Sequence, residues 1–124
     1  MVTHYVPPIS VTSKRLILDN EKLRRANAKV TTATAYKYGD LLTLSTANVL
    51  THATDESTWD VICGADVTAA EATIKAADGI EIPVYYGGVF NIEAVALNGT
   101  LLITAKYDAA RAKATKNKIE LSKV

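Results

Sequence analysis

No apolar run in this chain goes far before turn-forming residues interrupt it. From Lys29 onward the sequence is cut at Gly39-Asp40, Thr46-Ala47-Asn48, Asp55-Glu56-Ser57, Asp78-Gly79, Gly87-Gly88 and Asn98-Gly99. The pieces between are rich in Val, Ile, Leu, Thr and Tyr, which suit a pleated, half-buried surface. Turn signals at intervals of about 8–12 residues are the pattern of an all-β sandwich or barrel. The expected class is therefore mainly β (α+β): a small compact β-sandwich or barrel-like domain with one or two short helices. A length of 124 residues is that of a single domain. Pro7-Pro8 fixes two φ angles and removes two amide donors, so residues 1–13 read as an extended N-terminal arm and 14–124 as the β-rich domain.

Residues 13–28 are ambiguous. Leu16-Ile17-Leu18 suits a short strand over 15–18 followed by a turn at Asp19-Asn20. Ser13 as a cap, with Ile17, Asn20, Glu21 and Arg24 at helical spacing, suits a helix instead. Strands are expected near 30–36, 41–45 and 48–52, and again over 59–67. In the last, Trp59, Val61 and Cys63 face one way and Asp60, Ile62 and Gly64 the other. The alanine-rich stretch 68–79 reads equally as a short helix or as a loop. Residues 80–86 form a strand that Pro83 places at an edge or a bulge. Gly87-Gly88 is expected to turn the chain into a returning strand over 89–97. Asn98-Gly99 is a two-residue hairpin signal leading to a strand over 100–106. Residues 107–115 form a short helix, with Asp108 at its positive end and Lys113 and Lys116 at its negative end. A strand over 118–124 closes the domain.

Charge is segregated. Residues 1–37 carry seven Lys/Arg against two acids, 38–105 nine acids against Lys75 alone, and 106–124 six Lys/Arg against two acids, although the net charge is only +1. Either the basic ends meet a partner's acidic surface, or they fold over the acidic middle of their own chain. A lone cysteine, Cys63, excludes an internal disulfide. No run reaches the roughly 18 apolar residues of a membrane helix, and the start of the chain has no signal-peptide pattern. The expected compartment is the cytoplasm, or something assembled there.

Residues that could carry chemistry are scattered. His4 and His52 lack metal-ligand spacing. Cys63, between apolar neighbours, reads as a buried thiol rather than a nucleophile. Asp55, Glu56 and Asp60 lie beside a turn, where carboxylates are ordinarily solvated. Asn98-Gly99-Thr100 matches a glycosylation sequon but reads as a turn. Tyr85-Tyr86-Gly87-Gly88 lacks the later glycine and the Lys-Ser/Thr of a phosphate loop. No Lys or Arg adjoins Tyr85, Tyr86 or Phe90 in sequence, which argues against a base-stacking platform. The expectation is a protein that is not an enzyme, with no catalytic residue, metal or cofactor, no small-molecule substrate, and no direct contact with nucleic acid or membrane.

The segment Pro83-Val84-Tyr85-Tyr86-Gly87-Gly88-Val89-Phe90-Asn91-Ile92-Glu93-Ala94-Val95 resembles the signature of the head decoration proteins of tailed bacteriophages, typified by that of phage lambda. Tyr85, Gly88, Phe90, Glu93 and Val95 fall on matching positions. Upstream, Thr58–Thr68 resembles the family's apolar strand and acidic turn. Downstream, Asp108–Val124 resembles its charged helix and terminal β-segment. The resemblance spans roughly residues 48–124, whereas 13–47 is longer and more basic than the family's pattern. It implies a structural virion protein on the capsid exterior, made in the host cytoplasm. Such a protein binds as a homotrimer at three-fold and quasi-three-fold sites and cements the major capsid protein lattice after expansion. It also implies that the N-terminal arm adds β-structure to the major capsid protein, with Tyr5, Val6, Pro7, Pro8 and Ile9 as the contact segment. The alternatives are another virion module, such as a head–tail connector or fibre-attachment protein, and a small cytoplasmic enzyme or ligand-binding β-barrel.

Overall fold

Glycine pairs usually end strands, but here the chain runs straight through one. The computed structural model describes residues 15–123. Its strands are β1 (Ile17–Lys29), β2 (Leu41–Leu44), β3 (Leu50–His52), β4 (Val61–Cys63), β5 (Glu81–Asn91), β6 (Ala96–Leu97), β7 (Thr100–Leu101) and β8 (Ile119–Ser122). The helices are α1 (Ala69–Asp78) and α2 (Tyr107–Lys116), with 3-10 turns at Ile92–Ala94 and Thr104–Lys106. As expected, the domain is mainly β with two short helices.

The main sheet has the order β1-β5-β4-β2-β3, all antiparallel, and β8 lies parallel to β5. A parallel bridge between Lys29 and Val49 joins the two ends of that order into a barrel-like ring. Lys29 N donates to Asn48 O (2.8 Å) and Asn48 Nδ2 to Asn27 O (3.1 Å) at the closure. Strand alternation sorts the apolar side chains into two cores. One holds Ala28, Leu42, Leu50, Val61, Cys63, Ile82 and Val84, with Tyr36 and Val67 from loops and Ala72 from α1. The other holds Leu41, Ile62, Tyr85 and Phe90, covered by Ala110 and Ala114 of α2, Ile119 and Leu121 of β8, and Ile92, Val95 and Leu102.

Several local expectations are corrected. Gly87-Gly88 is no turn: both glycines lie inside β5, opposite Arg24 and Ile119 respectively. Their need is close approach. A Cβ on Gly87 would stand 2.8 Å from Arg24 Cγ. One on Gly88, where φ is +134°, would stand 3.2 Å from a Phe90 ring carbon and 3.3 Å from Leu23 Cδ1. The turn expected at Asp19-Asn20 is a bulge instead. Asp19 Oδ1 accepts Glu21 N at 2.9 Å, and β1 is out of step with β5 between Asp19 (opposite Val89) and Arg24 (opposite Gly87), so it continues to Lys29 without reversing. The helical alternative for 13–28 is also excluded over the described part. Pro83 is neither at an edge nor bulged, since β5 is the inner strand and Pro83 pairs in register with Asn27. Its carbonyl accepts Gly64 N (3.0 Å) just past the end of β4.

Residues 30–36 are loop, with one bridge from Tyr36 to Val67. Trp59 precedes β4 and packs with Ile62, not with Val61 and Cys63. The expected strand 89–97 is interrupted at Ile92–Ala94, and that over 100–106 is only β7. The stretch 68–79 is helix because Thr68 and Glu71 form a reciprocal capping box: Glu71 N donates to Thr68 Oγ1 (3.1 Å) and Thr68 N to Glu71 Oε1 (2.9 Å). Asn98-Gly99 turns β6 into β7 with positive φ at both residues (48° and 83°), as the hairpin signal requires. Asp40, 1% exposed, fixes that hairpin to the sheet, its carboxylate accepting Gly99 N and Lys37 N at 2.9 Å each.

The close approach at the glycine pair yields a prediction. Gly88→Ala should lower unfolding stability by about 1–3 kcal/mol, because the backbone conformation and the packing both resist a methyl. Urea denaturation of wild type and variant measures it, and equal midpoints would contradict the packing described.

Candidate interaction surface

The residues carrying the family resemblance are structural, but Tyr85, Gly88, Phe90, Glu93 and Val95 do not form the glycine turn that the resemblance implies, because β5 runs through Gly87-Gly88. Tyr85 (4% exposed) and Phe90 (fully buried) meet with ring centroids 5.5 Å apart, and Val95 is buried in the same core. Glu93 sits in the 3-10 turn after β5, its N–H donating to Asn91 Oδ1 (3.0 Å). Gly88 is buried within β5, against Phe90 and Leu23. The arm residues Tyr5, Val6, Pro7, Pro8 and Ile9, and His4, lie outside the described residues. Leu16 O accepts Asn91 N at 2.8 Å, so the first described residues lie at the C-terminal end of β5.

Residues weighed for catalysis or metal binding have local duties. Asp55 Oδ1 accepts Ser57 N (2.8 Å) and Oγ (2.7 Å), and these bonds hold its carboxyl below the usual range. Glu56 pairs with Lys106 (3.8 Å), and Asp60 pairs with Lys113 (4.0 Å) while accepting Leu44 N (2.9 Å). His52 Nε2 lies 2.7 Å from Ala35 O, with its ring stacked on Tyr36. Cys63 is fully buried, its Sγ donating to Ala65 O, and burial pushes the thiol from an ordinary 9.0 up to about 11. Among the described residues no three His, Cys, Asp or Glu cluster as metal ligands, and no helix is long and apolar enough to cross a membrane.

The charge pattern resolves in two directions. Lys106 and Lys113 do fold over the acidic middle. Lys22, Arg24, Arg111 and Lys118 do not: they gather around an open cleft of about 790 Å³ over the glycine pair. None of the four has a carboxylate in ion-pair range among the described residues. Arg111 instead donates Nε to Leu121 O (3.3 Å) and lies over the Tyr107 ring at 6.0 Å. Basic residues absent beside the aromatics in sequence stand beside them in space. Arg25 stands over the Tyr85 ring at 5.6 Å, and Tyr86, 46% exposed, shares the cleft with Lys22 and Arg24.

Two irregularities shape the cleft. Arg24 and Arg25 are consecutive on β1 but face Gly87 and Tyr85, so Tyr86 is the extra residue of a bulge, which turns its ring outward. On the opposite edge of β5, β4 pairing ends at Tyr85 and β8 pairing begins at Gly88. The main chain at Tyr86-Gly87 therefore has no strand beside it there. Lys118 is itself unusual. It follows the Asn117 C-cap of α2 with φ +61°, a position that normally selects glycine. The sequence held no cue to where this cleft lies, because its parts come from four elements, β1, β5, α2 and β8.

No protein-family model matches the chain, and no curated protein matches it.

Two outcomes follow from this geometry. Lys118→Gly should stabilise the fold by about 0.5–1 kcal/mol by relieving the left-handed conformation, read as a higher thermal midpoint; a lower midpoint would contradict the assignment. Cys63 should resist iodoacetamide at pH 8 when folded and react fully in urea. Because its folded pKa is raised, the stability it contributes is full below about pH 9 and is lost as pH rises through about 11. Unfolding free energy should therefore fall less steeply over that window in Cys63→Ala than in wild type; equal slopes would contradict it.

Proposed function

We propose that this chain is a structural virion protein of the tailed-bacteriophage head decoration type. It binds the capsid exterior as a homotrimer at three-fold and quasi-three-fold sites and cements the major capsid protein lattice after expansion. The observation that carries this reading is the behaviour of residues 83–95. The segment on which the resemblance rests is the structural centre of the domain, with Tyr85, Phe90 and Val95 in one core and Gly88 where only glycine packs. A pattern dictated by packing supports kinship better than exposed residues of the same spelling. In this reading the arm supplies main-chain pairing to the shell, and many modest contacts repeated around it add by avidity. The protein's site of action is the virion, and the reading assigns it no catalysis, cofactor or nucleic-acid contact.

Expanded, DNA-free heads of the cognate capsid protein provide the test, with co-sedimentation and quantification of bound copies. Wild type should saturate at three copies per three-fold site. A variant lacking residues 1–12 should stay folded and fail to co-sediment. Saturation at six or twelve copies per particle would favour a connector instead, and no binding at all would sink the proposal.

A further inference from the structure

We propose that the cleft over Gly87-Gly88 is a docking groove for an extended segment of a partner protein in which acidic and apolar residues alternate. The inference rests on the cleft alone and holds whether or not the partner belongs to a capsid. Lys22 and Arg24 on β1, Arg111 on α2 and Lys118 before β8 surround it. All four are exposed and lack a carboxylate partner among the described residues. Glu120 is the one acid in the lining, and its Oε2 accepts Ser122 Oγ at 2.9 Å. The surplus of positive charge is thus uncompensated among the described residues, which attracts an acidic chain and speeds its encounter.

Three further features select an extended peptide. The volume of about 790 Å³ far exceeds a single phosphate and falls in the range of ligand clefts. Gly87 and Gly88 lie buried beneath the cleft and project no side chain into it, which leaves its middle open between the charges. Tyr86, 46% exposed, and half-buried Val89 line the same cleft, so apolar side chains of the segment find apolar surface between the charges. A single-stranded nucleic acid fits less well. It stacks successive bases on several aromatics, and this cleft presents Tyr86 alone.

Fluorescence anisotropy tests this with a fluorescein-labelled peptide of alternating Glu and Val, about twelve residues long, and the same peptide with Gln for Glu. The full chain should bind the Glu peptide, and the Gln peptide at least about tenfold more weakly. Lys22→Glu combined with Lys118→Glu should weaken Glu-peptide binding by about tenfold or more. Lys118→Gly separates folding from recognition: it should weaken binding although it raises the thermal midpoint. Equal affinity for both peptides, or variants that bind like wild type, would overturn the proposal. So would an oligothymidylate that binds more tightly than the Glu peptide and displaces it. Light scattering of the chain alone covers the remaining occupant: self-association abolished by Lys22→Glu/Lys118→Glu would assign the groove to a second copy and overturn the partner-protein assignment.

Discussion

Strand β5 has neighbours on both edges and side chains in both cores, and the rest of the domain is arranged around that fact. One edge carries β1 along nearly its whole length; the other carries β4 and then β8. Ile82 and Val84 enter the core inside the ring, and Tyr85 and Phe90 enter the core beneath α2. A buried side chain of this size is worth about 1.5–3 kcal/mol, so β5 alone anchors a large part of each core. The condition for this is that β1 can cross closely at Gly87 and Gly88. A side chain there would crowd Arg24 at Gly87, and Phe90 and Leu23 at Gly88, and loosen the packing of β1 on β5.

What could be read along the chain depended on how local its cause was. The hairpin at Asn98-Gly99, the helix after Tyr107 and the strand at Ile119 arise from neighbouring residues and appear where the sequence puts them. The helix after Thr68 had a local cause too, the Thr68–Glu71 capping box, and was legible but left open. The glycine pair was misread because its reason lies on β1, more than sixty positions away in sequence. A glycine kept for close approach is spelled the same way as one kept for a turn. Trp59 was misassigned for a similar reason. Alternation was extended two residues before the strand begins, where the chain still curves and Trp59 falls into the other core.

The candidate surface was illegible for a topological reason. Lys22, Arg24, Arg111 and Lys118 become neighbours only because β1 and the α2–β8 unit both pack against β5 at the same level. The segregated charge seen in the sequence was a true signal, but its meaning is divided. Part of the basic C-terminal segment neutralises Glu56 and Asp60 in the same molecule. Arg111 and Lys118 instead line the cleft over the glycine pair, with no carboxylate in ion-pair range among the described residues. The packing that favours glycine at 87 and 88 thus places a buried glycine pair beneath a cationic cleft.

The most direct test of that constraint is solution NMR on the labelled chain. If β5 is continuous, strong sequential Hα–HN connectivities run from Glu81 to Asn91, and cross-strand NOEs join Gly87 to Arg24 and Gly88 to Ile119. Turn-type HN–HN connectivities across Tyr86–Val89, with NOEs pairing residues 80–86 against 89–97 as a hairpin, would contradict the account and remove the cleft floor with it.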